Sequence, residues 1–177
     1  MVTLALLVIA PLAGAAAPAS DNASDAAYNS GWTNGTNGGT GMGSWTLDPT
    51  SNDANRGFII ASSDIDVSGE SWGIYANSGT ASAVRSFNSS ISAGERFSIK
   101  MDNGSVSSSR SVGFGLRNSS NQNVMEFYFT GGGSHYTVSD GTGTDSTGLA
   151  YTDKGLEIAL TFTSPSFYHL QATRLTD

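Results

Sequence analysis

The chain reads as all-β, an antiparallel β-sandwich, and three observations say so. Three segments alternate apolar and polar residues one at a time: Phe97, Ile99 and Met101 against Ser98, Lys100 and Asp102; Val112, Phe114 and Leu116 against Gly113, Gly115 and Arg117; Met125, Phe127 and Phe129 against Glu126, Tyr128 and Thr130. A period of two sends one set into a core and leaves the other on an open face. Turn signals recur about every 8–12 residues, the spacing of a sandwich. No stretch carries a convincing 3.6-residue period, so any helix is short.

Taken in order, the elements follow from local chemistry. YNSGWTNGTNGGTGMG (28–43) is a long turn-rich loop of Asn-Gly and Gly-Gly pairs around the anchors Trp32 and Trp45. Trp45–Leu47 is a short strand. FIIA (58–61) is a continuous apolar run, hence a buried strand. SWGIYA (71–76) sets Trp72, Ile74 and Ala76 on one side and Gly73, Tyr75 and Asn77 on the other. AVRSF (83–87) is another strand. Phe97–Met101 leads into Asp102-Asn103-Gly104, a strong hairpin-turn signal. Strands at Val112–Leu116 and Val124–Thr130 are joined by the polar RNSSNQN (117–123). A strand at Tyr136–Val138 precedes a Gly/Thr/Asp loop at 139–148. LEIALTF (156–162) and FYHLQA (167–172) complete the pattern.

Bulk composition narrows the function. The 177 residues suffice for one domain with a real core. Charged residues make up 13%, against about 25% in ordinary globular chains. The 22 glycines suit a β protein with many tight turns. Net charge is −7 and the eight Lys and Arg are scattered, so the basic footprint that nucleic-acid binding needs is missing. There is no Cys, which removes disulfides, thiolate metal sites and Cys nucleophiles.

The amino terminus points to export. MVTLALLVIA, then Pro11, then LAGAAAPAS is a short apolar core, a helix breaker and a run of small residues, the order of a secretory signal peptide. The apolar run is too short for a membrane span of about 20 residues. Residues 1–20 are therefore read as a leader and 21–177 as the mature module, with no membrane span after cleavage. Three cleavage positions fit: after Ala15, Ala16 or Ser20. The absence of Lys or Arg before the apolar run departs from that order.

Several strings together carry a resemblance: GWTNGTNGGTGMGSWTL, SWGIYANSG, AVRSF, FSIKMDNG, SVGFGLRNSS, MEFYFTGG and TDKGLEIALTF. They resemble a β-sandwich module of large secreted bacterial proteins, similar to the jelly-roll architecture of concanavalin A-like lectins and glucanases. Such modules stand beside carbohydrate-active domains or ahead of surface-sorting tags. The resemblance implies a secreted or cell-surface location, a longer parent protein, and further strands beyond FYHLQATRLTD or a partner that covers an edge.

Candidate site residues follow from the polar parity. Sugars stack C–H faces on aromatic rings, and their hydroxyls pair with polar side chains. Lys100, Asp102, Arg117, Glu126 and Tyr128, with Trp72, Tyr75 and Asn77, form the expected ligand-binding set. The plain alternative is a solvated sheet face with compensating charges. Trp32, Trp45 and Trp72 are stacking platforms or core. Calcium is the one cofactor the pattern allows: Asp64-Ile65-Asp66-Val67-Ser68-Gly69 opens like a calcium loop, but its twelfth position is Tyr75 rather than a bidentate Glu. Asp140, Asp145 and Asp153 are a second candidate cluster. No catalytic set is visible. The E-x-D-x-x-E pattern of the resembling glucanases is missing, since Glu126 is followed by Phe127 and Tyr128. The expected function is a secreted, noncatalytic module that binds polysaccharide or a cell-surface glycan, or serves in adhesion. The rival is a structural spacer or surface-layer domain, and a glycoside hydrolase ranks third.

Overall fold

The computed structural model describes residues 18–48, 56–65 and 69–175 in full, and residues 2–8 as backbone. Among them are twelve strands: β1 (Val2–Val8), β2 (Thr46–Leu47), β3 (Arg56–Ala61), β4 (Ser71–Ala76), β5 (Ala81–Val84), β6 (Arg96–Met101), β7 (Ser111–Asn118), β8 (Asn123–Thr130), β9 (His135–Asp140), β10 (Gly143–Ala150), β11 (Leu156–Ser164) and β12 (Phe167–Arg174). The one helical element is a 3-10 turn at Ala26–Tyr28. The strands form three sheets, ordered β10-β9-β8-β7-β1-β5-β2, β12-β11-β6 and β3-β4. Every pairing of these strands is antiparallel except those of β1, which runs parallel to both β5 and β7. The protein is therefore all-β.

The alternating residues build the first core. Phe114 and Leu116 of β7 and Met125, Phe127 and Phe129 of β8 project from the seven-stranded sheet. Leu156, Ile158 and Leu160 of β11 meet them from the three-stranded sheet, with Phe97 and Ile99 of β6 packed alongside. The rings form a continuous row, Phe114 on Phe127 at 6.0 Å and Phe127 on Tyr136 at 5.3 Å. Burying each large apolar side chain contributes about 1.5–3 kcal/mol, so this row dominates the stability of the sheets. Tyr168 of β12 donates to the Asp140 carboxylate at the end of β9, a polar clasp from one sheet to the other.

A second core forms around tryptophan. Tyr28, Trp32 and Trp45 come from the turn-rich segment, and Phe58, Ile60, Trp72 and Ile74 from the β3–β4 hairpin. The rings meet edge to face, Trp32 with Trp45 at 5.1 Å and Tyr28 with Trp72 at 5.3 Å, the geometry that ring quadrupoles favour. Glycine lets the loop close on this cluster. A Cβ at Gly38 would stand 2.5 Å from the Tyr28 ring.

Three expectations need correction. Asp102-Asn103-Gly104 does not close a hairpin. β6 pairs only with β11 among the described residues, and the chain then crosses to the other sheet. Asn103 is buried and accepts a hydrogen bond from the Tyr136 hydroxyl at 2.6 Å, so it anchors a crossover. The loop expected at 139–148 holds strand β10. The turn before it is set by Asp140, whose Oδ1 accepts from the Thr142 amide at 2.8 Å. β10 lies at a sheet edge and pairs through its backbone, so it needs little apolar content. Finally, the three alternating strands do not share one polar face, because β6 belongs to a different sheet from β7 and β8.

Candidate functional site

A cavity of about 480 Å³ is lined from both cores. Its lining takes in Phe97–Met101 of β6 with Asp102 beyond its end, and Trp72 and Ile74 of β4. Val112–Leu116 of β7 and Ala83 of β5 line it as well. The lining is mostly apolar, with charge at a few points: Asp21, Glu70, Arg85, Lys100, Asp102 and Glu157.

The strand edges explain the opening. β6 ends the three-stranded sheet and β4 ends the two-stranded sheet. Phe97 and Ile99 are consequently only half-buried, while Leu160 and Ile158, opposite them on β11, are fully buried. Glu157 faces Lys100 in the β11–β6 register and also pairs with Arg96 at 3.5 Å.

Asp102 is a perturbed acid at this cavity. Burial pushes its carboxyl above the usual range, and the Asp64 and Asp153 carboxylates push it the same way. Among the described residues its Oδ1 has no hydrogen-bond partner, nor does Nε1 of Trp72. A buried donor and a buried acceptor left unmade each cost stability. Both belong to residues that line the cavity.

The expected ligand set divides into four. Trp72, Lys100 and Asp102 come together at the cavity. Glu126 and Tyr128 share the opposite face of the seven-stranded sheet, where they stand beside Gly115 and Gly113 of β7 and Ser139 and Thr137 of β9. Arg117, at the end of β7, is held by its own hairpin: its Nε donates to Asn123 Oδ1 at 2.9 Å and Nη1 to Asn121 Oδ1 at 3.1 Å. Tyr75 is exposed on β4, its ring lying across Gly57, and Asn77 is exposed just past the strand. The set is thus not one face.

Sequence reasoning missed a buried charged pair that lines the cavity. Arg85 and Asp21 form an ion pair with both side chains 3% exposed. Arg85 also donates to Gly43 O at 3.0 Å and Asn37 Oδ1 at 2.8 Å, and its guanidinium lies 4.8 Å from the Trp45 ring centre. The Tyr28 hydroxyl donates to Asp21 and accepts from Trp45 Nε1 at 3.0 Å. Burial, then the hydrogen bond to Asp21, pushes that hydroxyl above the usual phenol range. The signal was present. Ala81 and Ala83 are buried, and Arg85 continues their parity, so it points inward.

Of the calcium candidates, Asp66, Val67 and Ser68 lie outside the described residues. Asp140 is engaged by Thr142 and Tyr168. Among the described residues, no three His, Asp or Glu side chains are arranged to hold a metal ion. No described helix is long and apolar enough to cross a membrane. No protein-family model, curated protein or solved structure matches the chain.

Proposed function

We propose that the mature chain is a noncatalytic β-sandwich module of a secreted or cell-surface protein, a rigid block within a larger surface assembly. One observation carries this reading: the rings that sugar stacking would need are used inside. Trp32 and Trp45 are 5% and 3% exposed, and Tyr28 and Tyr136 are also buried. Among the described residues the exposed large aromatics are Tyr75 and Phe167, which stand on β4 and β12 of separate sheets. Against hydrolysis, the cross-strand neighbours of Glu126 are Gly115 and Ser139, neither of them the second carboxylate a glycosidase needs about 5–10 Å away. The leader-like amino terminus supports export.

A second reading, glycan binding at the cavity, is favoured by the unpartnered Trp72 Nε1 and Asp102 Oδ1 beside Lys100. Sugar hydroxyls would satisfy both atoms. Pull-down on insoluble polysaccharides, with a glycan array, separates the readings. The structural block gives no retention. Retention that disappears in Trp72→Ala, with the fold intact, favours the glycan. Turnover that disappears in Glu126→Gln would replace both with a hydrolase.

A further inference from the structure

The cavity lined from both cores joins a mostly apolar lining to two buried polar atoms that have no partner among the described residues. Trp72 Nε1 is a donor only, and Asp102 Oδ1 is an acceptor when ionised. Both residues are pinned. The Trp72 ring stands edge-on to Tyr28 at 5.3 Å and Trp45 at 5.7 Å. Asp102 precedes the buried Asn103, whose Oδ1 accepts from the Tyr136 hydroxyl at 2.6 Å. Leaving such groups unpaired costs stability, and a ligand that pairs them recovers it.

From these facts we infer that the cavity binds a small ring-bearing alcohol or phenol, its hydrocarbon body among Phe97, Ile99 and Ile74 and its hydroxyl accepting from Trp72 Nε1 or donating to Asp102 Oδ1. The inference goes beyond the structural-block reading and shares with the glycan reading only its cavity.

Size, lining and charge each narrow the occupant. An apolar cavity of about 150 Å³ holds one benzene ring. At about 480 Å³ this one has room for two fused rings. Trp72, Phe97 and Phe114 put aromatic rings on the lining, which suits a flat body. A sugar carries a hydroxyl on nearly every carbon, and most of them would lie unpaired against apolar side chains, which is unfavourable. An anionic head finds no foothold. Arg85 is paired with Asp21, and Lys100 stands opposite Glu157 in the strand register. The Asp64 and Asp153 carboxylates already press on Asp102, and Glu70 adds a further acid to the lining. An ammonium head has no lone pair for Trp72 Nε1 and would shed its water among apolar side chains. A hydroxyl is neutral and both donates and accepts, so it can serve either atom.

The test uses the full chain and four probes at one concentration: naphthol, naphthalene, naphthoate and cellobiose. Naphthol should raise the melting temperature and bind one to one by calorimetry. Naphthalene should bind about fivefold more weakly, the worth of one hydrogen bond, and naphthoate more weakly still. In the double variant Trp72→Phe with Asp102→Leu, naphthol should bind no better than naphthalene. Naphthalene binding there also reports that the variant has kept its cavity; if it is lost, the ranking of the probes on the wild-type chain decides alone. Equal binding of naphthol and naphthalene by the wild-type chain overturns the inference. So does a naphthol advantage that survives in a variant that still binds naphthalene. Cellobiose binding tighter than naphthol overturns it in favour of the glycan. Silence from all four probes also overturns it, and leaves the structural block standing.

Discussion

The two cores of this molecule are built by opposite means. The first is made of strands: every second residue of β7, β8 and β11 enters it, and Phe127, Leu160 and Ile158 are fully buried there. The second is made largely of loop and hairpin rings, with a buried ion pair against Tyr28 and Trp45. One is specified by periodicity, the other by a handful of aromatic anchors and a salt link. Two consequences differ. The first core should tolerate exchange of similar apolar volumes, as strand cores do. The second depends on polar partners that are costly to lose singly.

Four substitutions sharpen this contrast, in falling order of effect. Phe127→Ala should cost about 3–5 kcal/mol, the usual loss for a buried ring, read as a lower urea midpoint. If the cores unfold as one unit, tryptophan fluorescence and far-UV circular dichroism will shift together; separate midpoints would mean two cooperative units. Arg85→Met should cost about 3 kcal/mol, because the buried Asp21 loses its cation and keeps only neutral donors such as the Tyr28 hydroxyl. Its mark is loss of near-UV tryptophan ellipticity, and adding Asp21→Asn should recover part of the loss. Equal damage from single and double changes would show that charge pairing is not what ties the second core.

Tyr168→Phe removes the clasp across the first core and should cost about 1 kcal/mol. Its pH dependence has a definite sign. The hydrogen bond from Tyr168, then those from Thr142, hold the Asp140 carboxyl below the ordinary range. Stability from a lowered carboxyl is present above its unfolded value and disappears as pH falls through the folded one. The gap between wild type and Tyr168→Phe should be full at pH 7 and close on acidification; a gap constant down to pH 2 would remove the carboxylate from the account. Asp102→Asn acts in the other direction and least. The Asp102 carboxyl is raised, so its ionisation is a penalty that is absent at low pH, where it is protonated folded or unfolded, and present above its raised value. The variant should melt slightly higher at pH 7 and match wild type near pH 3. Destabilisation at pH 7 would mean that the carboxylate is held by a contact worth more than its burial costs.

Legibility followed the same division. The strands through Phe97, Phe114 and Phe127 were readable because a pleated strand with one wet face writes its geometry as alternation. Ile99, Phe114 and Phe127 duly share one core cluster. Pairing was not readable. Nothing in FSIKMDNG says that β6 seeks β11 rather than β7, the next strand in sequence, because partner choice is settled by which apolar faces meet. The expected binding face failed for that reason, leaving Trp72, Lys100 and Asp102 together and Glu126 and Tyr128 elsewhere. β10 went unread because an edge strand held by its backbone leaves no apolar trace. The Arg85–Asp21 pair spans the loop that brings its ends together, and only the inward parity of Arg85 hinted at it.

The outermost strand of the large sheet has a use in a crowded setting. β10 carries Thr144, Asp145, Ser146 and Thr147 along its exposed length, and its register with β9 is interrupted between Ser146 and Ala150. A hydrophilic, irregular margin is a poor template for sideways growth into fibres. Many copies could therefore stand side by side and remain separate particles.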